Sequence, residues 1–166
     1  QATSGSRPTY TASGLNGKSV LTFDGNSDKM TIPALGLSNS AMVIMVFKAT
    51  NAPLAVLSGS GNDTWDEYGG TSYAHHFRVV RLDNIGAPSP LSTNNILGYL
   101  ANSTTPVYNR RLNGNASSTS NAAFTFSSNI TEIGWNAPNN GYYLNGTISE
   151  IIVVNAYSVS DAEKLE

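Results

Sequence analysis

The stretch that decides the fold of this chain is 141-GYYLNGTISEIIVVN-155, which leads into 156-AYSVSDAEKLE-166. Branched apolar residues, which favour β-strands, dominate positions 148–154. They occupy both alternating sets of positions, and this pattern is typical of a strand that is covered on both faces. The sequence therefore predicts a strand at residues 148–154 in the interior of a sheet.

Signals for a turn and a helix flank this strand. Asn145-Gly146 predicts a turn before it, because this dipeptide favours tight turns. After it, Ser160 and Glu163 have the spacing of a capping box, and Asp161 falls in the first helical turn. We therefore expect one short helix at the C-terminal end.

Glu150 interrupts the apolar pattern of the strand. Regular alternation places Glu150 on the same face as Ile148 and Ile152. A carboxylate on a covered face needs a partner, because burial of an unpaired charge is unfavourable. Glu150 is therefore either satisfied by a neighbouring strand or loop, or able to bind a sugar hydroxyl or a cation.

The composition suits one all-β domain over residues 1–166. The chain has 40% hydrophobic and 12% charged residues, a net charge of −2 and no cysteine. The charge argues against nucleic acid as a partner, and no run is long and apolar enough for membrane insertion. The chain starts at Gln1 without Met, and we interpret it as a fragment of a larger protein.

Short strands separated by turns continue through the chain. Residues 1–16 are expected to be an extended lead-in, and residues 18–23 and 30–32 a hairpin around Asp24-Gly25-Asn26. Residues 41–49 predict a second interior strand. Further strands are predicted at 54–58, 73–82, 96–100, 106–112, 122–126 and 130–135. Two antiparallel sheets packed as a jelly-roll sandwich are the natural closure of such a series.

Two segments resemble a known family. The runs 15-LNGKSVLTFDGNSDKMTIP-33 and 145-NGTISEIIVVNAYSVSDAE-163 resemble the opening and the end of a laminin-G-like domain, and 107-VYNRRLNG-114 resembles a hairpin of that family. The family belongs to the concanavalin A-like lectin/glucanase superfamily. The resemblance implies a concanavalin A-like jelly roll, within a larger extracellular, cell-surface or phage-appendage (virion) protein.

A calcium site is one interpretation of Asp24, Asn26 and Asp28. Their spacing supplies alternate oxygen ligands, although the central Gly and the distal Glu of an EF-hand loop are missing. The alternative is a turn whose side chains hydrogen-bond their own backbone. The resemblance leaves calcium open, since laminin-G-like domains sometimes bind it. No other cofactor is expected.

Catalysis is not expected from this sequence. Glucanases of the superfamily that this chain resembles carry two Glu around an Asp on one strand, and no such motif occurs in this sequence. Glu132 and Glu150 lie on separate predicted strands. The carboxylates of the segment 59–72 lack the rigid support that acid–base chemistry needs. A glycan-active hydrolase or lyase remains an alternative to a non-catalytic module.

Glycan binding is the predicted function, and two polar loops with aromatic residues are its candidate site. The loops span residues 59–72 and 136–141. Trp and Tyr rings stack on sugar faces while amides and carboxylates bind hydroxyls, although such rings also pack in cores. The predicted partner is a glycan or cell-surface polysaccharide. The alternative is a structural or assembly domain of a virion or fibre that contacts protein subunits only. The candidate residues are Asn62, Asp63, Trp65, Asp66, Tyr68, Trp135, Asn136, Asn139 and Tyr142.

Overall fold

The computed structural model describes residues 3–37, 40–50, 54–59, 64–68, 74–77, 80–83, 93–102, 107–120, 129–136 and 141–155. Within these residues the chain forms two antiparallel sheets and one 3-10 turn at Ser4–Ser6. The described residues include no helix that could cross a membrane. The predicted all-β, two-sheet jelly-roll sandwich is confirmed. The predicted C-terminal helix lies outside the described residues.

The larger sheet has seven strands, numbered here in chain order. Every neighbouring pair in it is antiparallel. Their order across the sheet is β1 (Thr9–Leu15), β2 (Lys18–Asp24), β13 (Asn145–Asn155), β4 (Ser40–Ala49), β9 (Asn95–Asn102), β10 (Val107–Leu112) and β11 (Asn115–Ser120).

The smaller sheet has six strands, which are also antiparallel to their neighbours. Their order is β3 (Met30–Gly36), β12 (Asn129–Ile133), β5 (Leu54–Gly59), β6 (Thr64–Tyr68), β7 (Ala74–Phe77) and β8 (Val80–Asp83). β7 and β8 form a hairpin where the sequence predicted one strand over residues 73–82. The strand predicted at 122–126 lies outside the described residues.

Both predicted interior strands are confirmed. β13 lies between β2 and β4, and β4 lies between β13 and β9. Val43, Met45 and Phe47 of β4 are buried in the core between the sheets. Met42 and Ile44, at the alternate positions, are buried on the opposite face. Apolar residues at both sets of positions therefore mark a strand covered on both sides, as the sequence indicated.

A β-bulge at Ser149 changes the faces of β13. Ile148 pairs with Phe47, whereas Glu150 pairs with the adjacent Val46, so Ser149 is an extra residue in the ladder. Such an insertion reverses the alternation of the strand beyond it. Ile148 therefore shares the core face with Ile151.

The predicted placement of Glu150 beside Ile148 is wrong for this reason. Glu150 lies on the outer face with Ile152 and Val154, and its side chain is exposed. An exposed carboxylate is solvated by water and needs no partner within the protein. The energetic argument for a special role of Glu150 as a buried charge no longer applies.

The N-terminal region departs from the prediction. Residues 9–15 form β1, which pairs with β2 around a turn at Asn16-Gly17. Both turn residues have positive φ, 47° and 76°, as a tight type I′ hairpin requires. The same dipeptide at Asn113-Gly114 joins β10 to β11. The predicted extended lead-in over residues 1–16 is therefore wrong.

The predicted hairpin between residues 18–23 and 30–32 is also wrong. β2 belongs to the seven-stranded sheet and β3 to the six-stranded sheet, so the connection between them crosses the sandwich. The turn predicted at Asn145-Gly146 is instead the start of β13, where Gly146 pairs with both Phe23 and Ala49. A Cβ at Gly146 would overlap the carbonyl oxygen of Lys48, so only glycine fits between these strands.

Candidate functional site

Three connections between the sheets meet at one end of the sandwich, which we call the crossover rim. They run from β2 to β3, from β4 to β5 and from β12 to β13. Backbone hydrogen bonds tie them together. Gly25 N donates to Leu144 O at 2.9 Å, Thr50 N to Asn145 O at 2.9 Å, and Ala55 N to Tyr142 O at 3.0 Å. Side chains from distant parts of the sequence are therefore held side by side on a braced backbone.

The carboxylate of Asp24 organises the first of these connections. Its Oδ1 accepts hydrogen bonds from the backbone N–H groups of Asn26, Ser27 and Asp28 at 2.8–2.9 Å. Its Oδ2 accepts one from the Ser27 hydroxyl at 3.1 Å. Asp28 Oδ2 in turn accepts from the backbone N–H of Asp24 at 3.0 Å. This is the predicted alternative of side chains that hydrogen-bond their own backbone, within a crossover rather than a hairpin.

The same contacts set the acidities of the two carboxyl groups. Partial burial raises the pKa of Asp24, but the hydrogen bonds from Ser27, Asn26 and Asp28 outweigh it and lower the pKa to about 2. Burial and the nearby charge of Asp24 raise the pKa of Asp28, and the hydrogen bond from the Asp24 N–H opposes this only in part. The turn therefore stabilises the charge of Asp24 at the expense of Asp28.

Calcium binding at Asp24, Asn26 and Asp28 would compete with this turn. Four hydrogen bonds already end on the oxygens of Asp24, and a cation would have to displace some of them. Within the described ranges, no three His, Asp or Glu side chains are grouped so that they could hold a metal ion. The arrangement does not fit an oxygen-ligated calcium ion without rearrangement, and the calcium site stays a prediction.

Two side chains contact the ring of Trp135 at the crossover rim. We call the resulting group the rim cluster: Lys29, Trp135 and Tyr143. The rings of Trp135 and Tyr143 are stacked, with centroids 6.1 Å apart and planes at 22°. The Lys29 ammonium lies 3.6 Å from the Trp135 ring centroid, which is a cation–π contact. The three side chains are half-buried. The Trp135 ring is therefore neither buried in the core nor fully exposed to solvent.

The cluster is anchored to the six-stranded sheet. The Ser58 hydroxyl, which is fully buried, donates a hydrogen bond to the backbone oxygen of Trp135 at 2.6 Å. The indole Nε1 of Trp135 is buried and has no hydrogen-bond partner in the described structure. The backbone at Trp135 is thus well fixed, while the donor of its ring is left without an acceptor.

Asn136 is the first residue of the predicted loop 136–141, and Tyr142 follows its last residue. The backbones of Asn136 and Gly141 pair through hydrogen bonds of 3.0 and 3.3 Å, so the loop is closed at its base. Asn136 is fully buried, which places it below the surface of the rim. Tyr142 is half-buried and has a positive φ of 55°, an uncommon conformation for a bulky residue. Asn139 lies outside the described residues.

The predicted loop 59–72 is not one loop. Residues Thr64–Tyr68 form β6, in which Trp65 pairs with Leu57 and Asp66 pairs with Ala55. The pairing of β5 and β6 places Tyr68 towards the crossover rim and Thr64 towards the opposite end of the sandwich. Asn62 and Asp63 lie outside the described residues.

The structure thus brings together some of the predicted residues and separates others. Those at the crossover rim are Asp24, Asn26, Asp28, Trp135, Asn136 and Tyr142, and the backbone of β6 runs towards the same rim at Tyr68. Lys29 and Tyr143 were not among the predicted site residues. Tyr143 adjoins a predicted residue and is aromatic, so its type and position were a usable signal. Nothing in the sequence indicates that Lys29 would lie over a ring more than one hundred positions away.

Comparisons with known proteins identify the fold. No protein-family model matches the chain, and no curated protein matches it either. Among solved structures, a heptameric SAP-like pentraxin from Limulus polyphemus is similar at TM-score 0.69 and 11% identity, over 88% of this chain and 80% of that chain. Domain 4 of an extracellular arabinanase from Geobacillus stearothermophilus, in complex with arabinotriose, is similar at TM-score 0.69 and 17% identity, over 95% of this chain and 80% of that chain.

A third similar structure is the CBM40 domain of a sialidase from Ruminococcus gnavus, bound to α2,3 sialyllactose. It has TM-score 0.61 and 14% identity, over 82% of this chain and 95% of that chain. These neighbours share a concanavalin A-like jelly-roll sandwich of the lectin type. At such low identities the likeness establishes the fold alone.

Proposed function

We propose that this chain is a non-catalytic recognition module that binds a glycan at the crossover rim. The observation that carries the proposal is the rim cluster, in which stacked rings and an ammonium group share a half-exposed surface on a braced backbone. Rings contact the apolar faces of sugars, and polar groups beside them bind hydroxyls. Shallow sites of this kind need little net charge, in agreement with a chain of net charge −2.

The ligands of the structural neighbours supply specific candidates. One neighbour was solved with arabinotriose, a neutral sugar, and another with α2,3 sialyllactose, an acidic one. Lys29 gives the rim cluster a positive charge, whereas Asp24 and Asp28 supply carboxylates a few positions away. We propose the neutral class, because these opposed charges give no net attraction for an anion.

The family and the setting of the module are part of the same proposal. The resemblance of residues 15–33 and 145–163 to laminin-G-like domains supports that family within the concanavalin A-like group. Domains of this kind fit an extracellular, cell-surface or virion protein, where polysaccharides are accessible. Neighbouring protein subunits are further candidate partners for the edges of the sheets, such as the exposed strand β1.

A glycan array followed by calorimetric titration with arabinotriose and α2,3 sialyllactose tests the proposal. Tyr143→Ala removes the ring that stacks on Trp135 in the rim cluster. We expect this variant to bind the best array ligand up to about tenfold more weakly, since an aromatic contact contributes about 0.5–1.5 kcal/mol. Tyr10→Ala, which removes an exposed ring from β1, is the matched control.

The outcomes separate the three candidate functions. Binding that Tyr143→Ala weakens and Tyr10→Ala leaves unchanged supports the module and its site. An array without any ligand would favour a structural or assembly domain. Release of reducing sugar from a bound glycan would favour a hydrolase or lyase. Binding that both variants leave unchanged would place the glycan away from the rim.

A further inference from the structure

The seven-stranded sheet opens between β2 and β13. Their pairing starts at Asn145 with Asp24 and stops at Ile148 with Leu21. Beyond that point β13 stays paired with β4, and β2 stays paired with β1. The bulge at Ser149 falls at the first position after the pairing ends. The two strands therefore separate, and we call the gap between them the strand cleft.

The strand cleft leads into a cavity of about 380 Å³. Its walls are mainly apolar and come from both sheets, since Ile148 and Ile151 belong to β13 whereas Met30 and Ile133 belong to β3 and β12. A second cavity of about 560 Å³ shares Ser19, Ser149 and Glu150 with the first. Ligand sites of small molecules have volumes in this range and are mostly apolar with few polar groups.

One polar atom of the strand cleft lacks a partner. The hydroxyl oxygen of Ser149 is buried and makes no hydrogen bond in the described structure. The other serine of the cleft differs, because Ser19 Oγ lies 2.9 Å from the Tyr10 hydroxyl and 3.3 Å from the carbonyl oxygen of Ala12. A buried hydroxyl without a partner is unfavourable, and a bound molecule with a donor or acceptor would satisfy it.

The mouth of the strand cleft indicates a neutral ligand. Glu150 lines both cavities and Lys18 lines the second; both side chains are exposed, so one carboxylate and one ammonium group balance each other at this opening. Tyr10 adds an exposed ring beside the opening. A cavity of this size holds a small molecule rather than a helix or a strand of a partner protein. Its one unpaired hydroxyl can be satisfied by a single hydrogen bond, whereas an added strand would form a series of backbone hydrogen bonds.

We propose that the strand cleft binds a small neutral amphipathic molecule, whose apolar body lies between the sheets and whose one polar group hydrogen-bonds Ser149 Oγ. This site is separate from the crossover rim and does not depend on glycan binding there. The bulge at Ser149 directly follows the last pair of β13 with β2 and places a polar residue at the gap.

Phenol, benzene and glycerol are probes that test the proposal by NMR titration of the ¹⁵N-labelled full chain. Phenol has an apolar ring and one hydroxyl, benzene has the ring alone, and glycerol has hydroxyls without an apolar body. We expect phenol in the millimolar range to shift the amide signals of residues 19–21 and 148–151 in a saturable way. Benzene should bind there about tenfold more weakly, and glycerol should leave these signals unchanged.

Ser149→Ala tests the hydrogen bond, and Ser4→Ala, at an exposed serine outside the cleft, is its matched control. Ser149→Ala should abolish the preference for phenol over benzene without lowering the thermal midpoint, because the lost hydroxyl has no partner. Ser4→Ala should keep the preference. Phenol shifts that lie elsewhere, the absence of saturable shifts, or a preference that persists in Ser149→Ala would each overturn the proposal.

Discussion

Replacement of Asp24 by Asn should remove an acid-dependent part of the stability. The pKa of Asp24 is lowered from 3.8 to about 2 by the hydrogen bonds of its turn, after burial has acted in the opposite direction. Without a correction for solvent screening, this shift corresponds to a contribution of about 2.4 kcal/mol to the free energy of unfolding at neutral pH. Asp24 is exposed, and solvent screening reduces the expected contribution to about 1 kcal/mol.

The pH window follows from the sign of the shift. A carboxyl group whose pKa is lower in the folded state stabilises that state above its unfolded pKa. This stabilisation is lost as the pH falls through the folded pKa. For Asp24 the loss should therefore occur between about pH 4 and pH 2. Asn keeps a carbonyl oxygen for the turn but cannot ionise, so Asp24→Asn should lack this part of the acid dependence.

Urea unfolding at a series of pH values, followed by tryptophan fluorescence, measures this difference. The wild type should be about 1 kcal/mol more stable than Asp24→Asn at pH 7, and the two curves should converge near pH 2. Asp28→Asn is the control, since the pKa of Asp28 is raised and its protonation relieves a cost as the pH falls. Curves for wild type and Asp24→Asn that stay parallel from pH 7 to pH 2 would refute the assignment of the turn charge to Asp24.

Three further predictions concern the sheet and the metal. Gly146→Ala should destabilise the protein by about 2–3 kcal/mol in urea titrations, because its Cβ would overlap the backbone of Lys48. Gly17→Ala is the control, because Gly17 also has a positive φ but has open space around it. The difference between the two variants measures the effect of crowding. Glu150→Ala should change the stability by less than about 0.5 kcal/mol, whereas Ile151→Ala should cost about 2 kcal/mol, and equal losses would contradict the bulge. Thermal melts with and without EDTA should agree within about 2 °C, and a large shift would instead show a structural ion.

The interior strands could be predicted because their pattern does not depend on register. β4 and β13 carry apolar residues at both sets of positions, and a strand of this kind is interior whichever face each residue takes. The face of an individual residue does depend on register, and the bulge at Ser149 changed it for Glu150. A bulge arises from the pairing of two distant strands, which one strand alone does not reveal.

Local turn signals were partly usable. Asn16-Gly17 lies between Leu15 and Lys18 and is a strong hairpin signal, so β1 could have been found from the sequence. Asp24-Gly25-Asn26 carries a similar signal, yet the chain crosses to the other sheet there. The carboxylate of Asp24 stabilises a wider turn through three backbone N–H groups, and whether the strands then pair is decided by the rest of the fold.

The candidate site was less predictable than the fold. Trp135 and Tyr142 lie at the crossover rim, but the predicted partner loop 59–72 contains β6. Its run of Thr, Trp and Tyr has the residue types that favour strands, and the acidic residues between them concealed this. The contact of Lys29 with Trp135 joins two crossovers that only the folded sandwich brings together.

The position of β13 has a consequence for the order in which this chain folds. A ribosome releases the N-terminal strands first, and β2 and β4 are both made long before the strand that separates them. Until β13 is inserted, β2 and β4 each have one edge whose backbone N–H and C=O groups are unpaired. Folding of the larger sheet should accordingly be slow and completed late, because its central pairs join segments that are far apart along the chain. During synthesis, these two edges are where mispairing with another nascent chain would begin.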